Sequence, residues 1–323
     1  MMSNSGKKIN YSLRPSKNIE RKMMRDMFLR VGHIYNLNDY TYLGFGSKYF
    51  EDFSLFHKSL HINKMISIEG DTNNRKRYEF NKPFDCIEIH FGMSNEVLPK
   101  LEYNNPIIAW LDYDSRFNQT MLFDLSLLAQ RVKKGSVIAL SYNSETYSSN
   151  DLVDESNRTI SYRDKFVELV GEENVPTSLD ERGWSKHSNF CNFIQNAVKS
   201  TLEVALKERN DAALVNNKLK ALQLMYFRYA DGQKMTTLVY FLYEDGDDIS
   251  RCRFDDLYFY RSNSEAYNIE TPNLTLKEIR HLNELMPLED ERKVCLKVFN
   301  SKDVKLFKAN YRYFPSFTEV ESY

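Results

Sequence analysis

The stretch that most constrains the fold is Tyr40-Thr-Tyr-Leu-Gly-Phe-Gly-Ser-Lys-Tyr-Phe-Glu-Asp-Phe53. An apolar, strand-forming run enters two glycines and passes at once into a segment whose Phe50, Phe53 and Phe56 recur at helical spacing. Gly44 and Gly46 carry no Cβ, so the backbone there can turn sharply and a ligand can approach it. Ser47 has the side chain of a helix N-cap. A strand, a Gly-x-Gly turn and a helix in this order offer backbone amides at a helix N-terminus, which suits a nucleotide-like ligand. Lys64-Met-Ile-Ser-Ile-Glu69 reads as a second strand ending in an acid, where nucleotide-binding units place the carboxylate that accepts from ribose hydroxyls. Tyr49 replaces the third glycine of the full Gly-x-Gly-x-x-Gly pattern, which weighs against a dinucleotide and leaves a nucleoside-type ligand. The plain alternative is a tight turn and a solvated loop acid.

The same alternation continues. Phe84-Asp-Cys-Ile-Glu-Ile-His90 is a third strand, followed by Gly92-Met93 and a helix over 95–101. Pro106-Ile-Ile-Ala-Trp-Leu-Asp112 is a fourth, and it delivers Asp112-Tyr-Asp114 to the strand end where open α/β sheets keep their chemistry. A helix over 121–132 leads to a fifth strand over 135–142. Strands alternating with helices imply a parallel sheet. Residues 223–243 hold two β-rich runs around Asp231-Gly232, a hairpin signature. The expected fold is α/β: a Rossmann-like mixed seven-stranded sheet, five parallel strands plus a terminal antiparallel hairpin, with helices on both faces.

Around this domain, residues 38–246, the chain divides further. Residues 1–37 form a basic amphipathic helix from Arg14-Pro-Ser-Lys to Gly32, with Ile19, Met23, Met27 and Val31 as its apolar stripe. Its flank of Lys17, Arg21, Lys22 and Arg25 is either a solvated face or a contact for nucleic acid or an acidic protein. A helical insertion covers about 143–222, with one helix over 162–170, the Trp184 stretch, and helical sequence from 192 to 224. Residues 247–323 read as a small C-terminal α+β module, with a short strand at Tyr258–Tyr260 and a helix announced by Thr275 and Glu278 at capping-box spacing. The formal charge of −1 gives no global field toward nucleic acid or membrane. No run approaches the roughly 20 apolar residues of a membrane span, and the N-terminus has no apolar core of signal type, so a cytoplasmic protein is expected. Cys86, Cys191, Cys252 and Cys295 are widely spaced and read as thiols, neither disulfides nor a zinc site.

Taken together, Gly-x-Gly after the first strand, acids ending the second and fourth, and a terminal hairpin resemble the class I S-adenosylmethionine-dependent methyltransferases over about residues 38–243. The resemblance implies that Gly44, Phe45, Gly46 and Ser47 hold the cofactor S-adenosylmethionine and that Glu69 binds its ribose. It also implies that Gly92 and Met93 lie near its adenine, and that Asp112 and Asp114 stand where catalytic or acceptor-orienting groups are kept, with Asp112 also near the cofactor. Leu111-Asp-Tyr-Asp114 and the Arg-Pro-Ser-Lys entry are similar to those of a bacterial branch of predicted O-methyltransferases. The Asn/Asp-Pro-Pro-Tyr/Phe loop of the base-amine enzymes is absent, and no cysteine nucleophile follows the fourth strand. Methyl transfer needs chiefly in-line alignment, with a base where the acceptor loses a proton. Asp112 and Asp114 are the first candidates, and His90 the second. The methyl acceptor is not identified.

Two rivals stand beside this reading. Glu69, Asp112 and Asp114 also resemble the magnesium-holding carboxylates of Toprim nucleases, hard oxygen ligands suited to Mg²⁺. A catalytically silent methyltransferase-like scaffold that binds a partner is the other.

Overall fold

Apolar runs bounded by turns become strands in the first half of the chain, and the intervening periodic stretches become the helices that cover them. The computed structural model describes residues 14–154, 156, 158–177, 186–212, 218–290, 294 and 298–315. Helix α1 (Pro15–Val31) leads into β1 (Thr41–Gly44), α2 (Glu51–Leu60), β2 (Lys64–Glu69), α3 (Arg75–Asn81) and β3 (Ile87–Phe91). Next come α4 (Ser94–Val97), β4 (Ile107–Arg116), α5 (Gln119–Arg131) and β5 (Val137–Asn143). Helices α6 (Tyr162–Val170) and α7 (His187–Ala212) precede the hairpin β6 (Leu219–Ala230) and β7 (Lys234–Glu244). The chain continues through β8 (Tyr267–Ile269), α8 (Leu276–Glu284) and α9 (Ser301–Asn310).

The strands form one sheet in the order β3-β2-β1-β4-β5-β7-β6-β8. Strands β1 to β5 are parallel, and β7 runs antiparallel between β5 and β6. This is the expected Rossmann-like sheet with one strand more, because β8 adds in parallel to β6 through Phe227 to Tyr229.

Three local expectations change. Residues 219–224 were expected to continue a helix, since Lys, Ala, Leu and Gln favour one. They are strand instead, with Leu219 opposite Glu244 and Leu222 opposite Phe241, because pairing with β7 outweighs local propensity. Tyr258–Tyr260 is a turn closed by the Tyr260 N–H on the Leu257 carbonyl at 2.8 Å. The fully buried Phe259 ring packs on Phe227 at 6.0 Å, so that segment is held by ring contact and not by a ladder. The third change, at Ser47, belongs to the site. The Trp184 stretch and Cys295 lie outside the described residues, and the thiols of Cys86, Cys191 and Cys252 are free.

Side chains alternate along each strand, so the sheet feeds two cores. One face carries Leu43, Ile68, Ala109, Leu111, Ile138 and Leu140 against α5, α6 and α7. The other carries Tyr42, Met65, Ile108, Trp110 and Ala139 against α1 and α2, and Cys252, Phe254, Phe259 and Ile269 belong to this same core. A third apolar cluster, with Leu282, Leu288, Phe299, Val304 and Phe307, sits under α8 and α9. Thr275 and Glu278 close the expected capping box at the start of α8. Helix α1 is more deeply embedded than its charges suggest, since Lys17, Glu20 and Arg21 are all buried. Among the described residues, no helix is long and apolar enough to cross a membrane.

Candidate functional site

Strand β1 ends at Gly44, and the turn that follows does not use Ser47 as an N-cap. Helix α2 begins at Glu51, and Phe50 holds the N-cap position in left-handed backbone (φ 50°). Ser47 is also left-handed (φ 49°), and its hydroxyl accepts from the Tyr49 N–H at 3.3 Å. The turn takes this shape because the Phe50 ring folds back beneath Gly46. A Cβ on Gly46 would lie 2.5 Å from Phe50 Cε1 and 2.7 Å from Ser67 Oγ. Gly46→Val is therefore expected to cost about 1–3 kcal/mol, the range for overpacking a filled site. Urea denaturation checks this, and a valine variant as stable as the parent would show that the turn yields without cost.

Ser67 joins this turn to the acid of β2. The Gly46 N–H donates to Ser67 Oγ at 3.1 Å, and the Ser67 hydroxyl donates to Glu69 Oε1 at 3.0 Å. Burial pushes the Glu69 carboxyl up to about 8, against the opposing pull of the Ser67 hydroxyl and the Ser47 and Gly46 amides. The loop after β3 comes alongside, with the Gly92 N–H donating to the Glu69 carbonyl at 3.1 Å. Gly92 has φ 154°, and the Met93 sulfur lies 3.5 Å from where a Cβ on Gly70 would be. Gly44 to Ser47, Glu69, Gly92 and Met93 thus gather at the C-terminal edge of β1, β2 and β3. Phe45 meets the Tyr113 ring edge-on at 5.1 Å, and the Tyr113 hydroxyl donates to Asp124 at 2.5 Å.

Asp112 belongs to β4 itself, which continues past it to Arg116 with a bulge. It stands in one cross-strand row with Ser141 and Thr237. Lys17 crosses from α1 to meet it: its ammonium lies 2.7 Å from Asp112 Oδ1, 2.8 Å from Glu20 Oε2 and 3.1 Å from the Tyr229 hydroxyl. The same ammonium sits 4.4 Å from the centre of the Trp110 ring, a cation–π contact. Burial alone would lower the Lys17 ammonium, but Asp112 and Glu20 outweigh it and hold it above the ordinary lysine value. A line of donors feeds Glu20 from the other side. The Trp110 indole N–H donates to Ser141 Oγ at 2.8 Å, Ser141 and Thr237 hydroxyls meet at 2.6 Å, and the Thr237 hydroxyl donates to Glu20. Beside this network the Tyr42 hydroxyl donates to Asp52, whose carboxyl burial pushes above the usual range while Arg21 pulls it back.

The remaining candidates are placed apart. Asp114 is half-buried beyond Asp112, in the irregular part of β4. His90 pairs in register with Ile68, which faces α5 and α7, so it lies on the opposite side of the sheet from Glu69 and Asp112; its Nε2 is 2.8 Å from Glu88 Oε1. Among the described residues no three His, Cys, Asp or Glu side chains are grouped to hold a metal ion, so Glu69, Asp112 and Asp114 do not form a shared cation site. Lys17 and Arg21 were legible only as part of a basic helix flank and Glu20 carried no signal, so the place of all three in the site needed the fold. Ser67 carried a signal, as a lone hydroxyl in an apolar strand two residues before the acid.

No curated protein is similar to the chain in sequence. Among solved structures the chain is similar to the O-methyltransferase TomG from Streptomyces achromogenes in complex with SAM, at 11% identity over 69% of this chain and 80% of that one, with a TM-score of 0.37. It is similar to an O-methyltransferase from Bacillus cereus in complex with SAH, at 14% identity over 73% and 86%, TM-score 0.35. It is also similar to Trm1 from Pyrococcus horikoshii with S-adenosyl-L-methionine, at 11% identity over 73% and 57%, TM-score 0.43. The family described as "Putative O-methyltransferase" matches residues 9–322, nearly the whole chain, and the protein belongs to that family.

Proposed function

We propose that the protein binds S-adenosylmethionine at the C-terminal edge of the sheet and directs its methyl group to an oxygen acceptor held beside Asp112 and Asp114. The observation that carries this reading is the convergence of the Gly46 amide and the Ser67 hydroxyl on one buried carboxyl, that of Glu69, with the loop at Gly92 tied to the Glu69 backbone carbonyl beside it. Glu69 is 6% exposed, and Ser67 is its hydroxyl partner within the chain. A ribose diol brings two further O–H donors to a carboxyl of this kind, which is the chemistry the site fits. The turn from Gly44 through Phe45 and Gly46 to Ser47 would lie against the cofactor, Glu69 would hold its ribose, and Gly92 and Met93 would border its base.

The cofactor, when bound, supplies an electrophilic methyl group on a sulfonium. The chain's own task is then alignment and, for a hydroxyl acceptor, removal of a proton. Asp112 is tied to Lys17, which fixes its orientation. Asp114, one alternation further along β4, is the base or orienting group on the acceptor side.

Calorimetric titration of the full chain with S-adenosylhomocysteine tests the proposal. One saturable site is expected, and no heat at millimolar ligand would overturn the reading. Asp114→Asn is expected to keep that affinity within about threefold, since its carboxylate faces the acceptor and not the cofactor. A large loss of affinity in this variant would move Asp114 into the cofactor site.

A further inference from the structure

Arg21 lies one helical turn after Lys17 on the inward face of α1 and is 7% exposed. Lys17 has three partners within hydrogen-bond reach, as described above. Arg21 has none: among the described residues no hydrogen bond or ion pair reaches its guanidinium, and its buried Nε stands without an acceptor. A guanidinium carries five N–H donors in a planar fork, and burying them unmatched is costly. Its charge is felt by Asp52, Tyr42, Lys17 and Tyr229. Asp52 does not satisfy it: that carboxyl accepts the Tyr42 hydroxyl at Oδ2, and among the described residues no ion pair joins it to Arg21.

Tyr42 links this cation to the cofactor turn. A Cβ on Gly44 would come within 2.7 Å of the Tyr42 hydroxyl, and both Tyr42 and its partner Asp52 feel the Arg21 charge, so Arg21 neighbours the groups that border the turn. A planar anion with two acceptor oxygens is the natural complement of such a fork, and a carboxylate fits where a point charge would not. S-adenosylmethionine ends in an amino acid whose α-carboxylate has this form.

We propose that Arg21 of the N-terminal helix receives the α-carboxylate of the cofactor's methionyl end, so that α1 forms one wall of the cofactor site. The proposal rests on the cofactor reading above, and ligands that differ only at the amino-acid end separate the two. S-adenosylhomocysteine carries the carboxylate, and 5′-methylthioadenosine has the same nucleoside and thioether without it. By calorimetry, Arg21→Met is expected to weaken S-adenosylhomocysteine about 10- to 100-fold, as for a lost charge-assisted hydrogen bond, and 5′-methylthioadenosine less than twofold. Arg21→Lys, which keeps the charge and loses the fork, is expected to fall between. Equal losses for both ligands, or no loss for either, would overturn the assignment. Should Arg21→Met not fold, the unaltered protein decides with decarboxylated S-adenosylhomocysteine: at least tenfold weaker binding than the parent ligand is expected, and equal binding would overturn the assignment. A chain that binds neither nucleoside contradicts the cofactor reading itself.

Discussion

Replacing Lys17 with methionine is expected to lower the free energy of unfolding by about 3–5 kcal/mol, the loss typical when one partner leaves a buried ion pair. The effect is large because the groups left behind cannot all reach water. Glu20 is fully buried and Asp112 is 22% exposed at its side chain. Methionine fills the stem's volume but supplies no donor, so Glu20 must take up a proton or stay charged without its cation. The double replacement Lys17→Met with Glu20→Gln is expected to recover much of the loss, since an amide can still accept from Thr237. Urea denaturation at neutral pH measures both. Should methionine prevent folding altogether, Lys17→Arg serves in its place, with a smaller loss arising from a fork placed in a site shaped for a point charge. A methionine variant within about 1 kcal/mol of the parent would show that the network contributes little.

The second large effect is in binding against pH. With burial holding Glu69 at about 8, the ligand-free protein keeps this carboxyl protonated at neutral pH. A carboxylate accepting two ribose hydroxyls must be ionised. Affinity for S-adenosylhomocysteine is therefore expected to rise from pH 6 to pH 8, by at most tenfold per unit, and to level off above. Stability of the empty protein runs the other way: the unfolded chain loses this proton near 4.5 while the folded chain keeps it to about 8, so Glu69 withdraws stability as pH rises across that interval. Glu69→Gln is expected to flatten both dependences and to bind about 10- to 100-fold more weakly at pH 8.5. Calorimetry across the range checks the sign, and an affinity that falls toward pH 8 in the parent would refute the ribose assignment.

How far the sequence can be read follows from what periodicity records. Strands β1 to β5 and the acids at Glu69 and Asp112 were legible because each is an apolar run whose end is marked by a change in chemistry. Residues 219–224 were not, because a segment of good helix formers becomes strand only when a partner such as β7 lies beside it. The three residues of β8 are too short to carry a pattern. Lys17 and Arg21 read as part of a basic helix flank with Lys22 and Arg25, and Glu20 carried no signal, because helical spacing says which residues share a face without saying what that face meets. Only the docking of α1 against the ends of β4 and β6 turns that flank inward. Ser47 had the right side chain for a cap, but burial of the Phe50 ring set the turn and displaced the helix start.

The segment after the hairpin has a consequence for solubility. Strand β6 is twelve residues long and would by itself present a row of bare amides and carbonyls, an invitation to another chain. The chain covers the middle of that row with its own later residues. Three residues of β8 pair with Phe227 to Tyr229, the Arg261 N–H donates to the Leu224 carbonyl at 2.9 Å, and the Gln223 side-chain amide donates to the Arg261 and Asn263 carbonyls at 2.9 and 2.7 Å. At the opposite border β3 is five residues long, with Glu88 exposed on it. Neither border offers a long, flat strand, so the sheet resists being extended edge to edge into an aggregate.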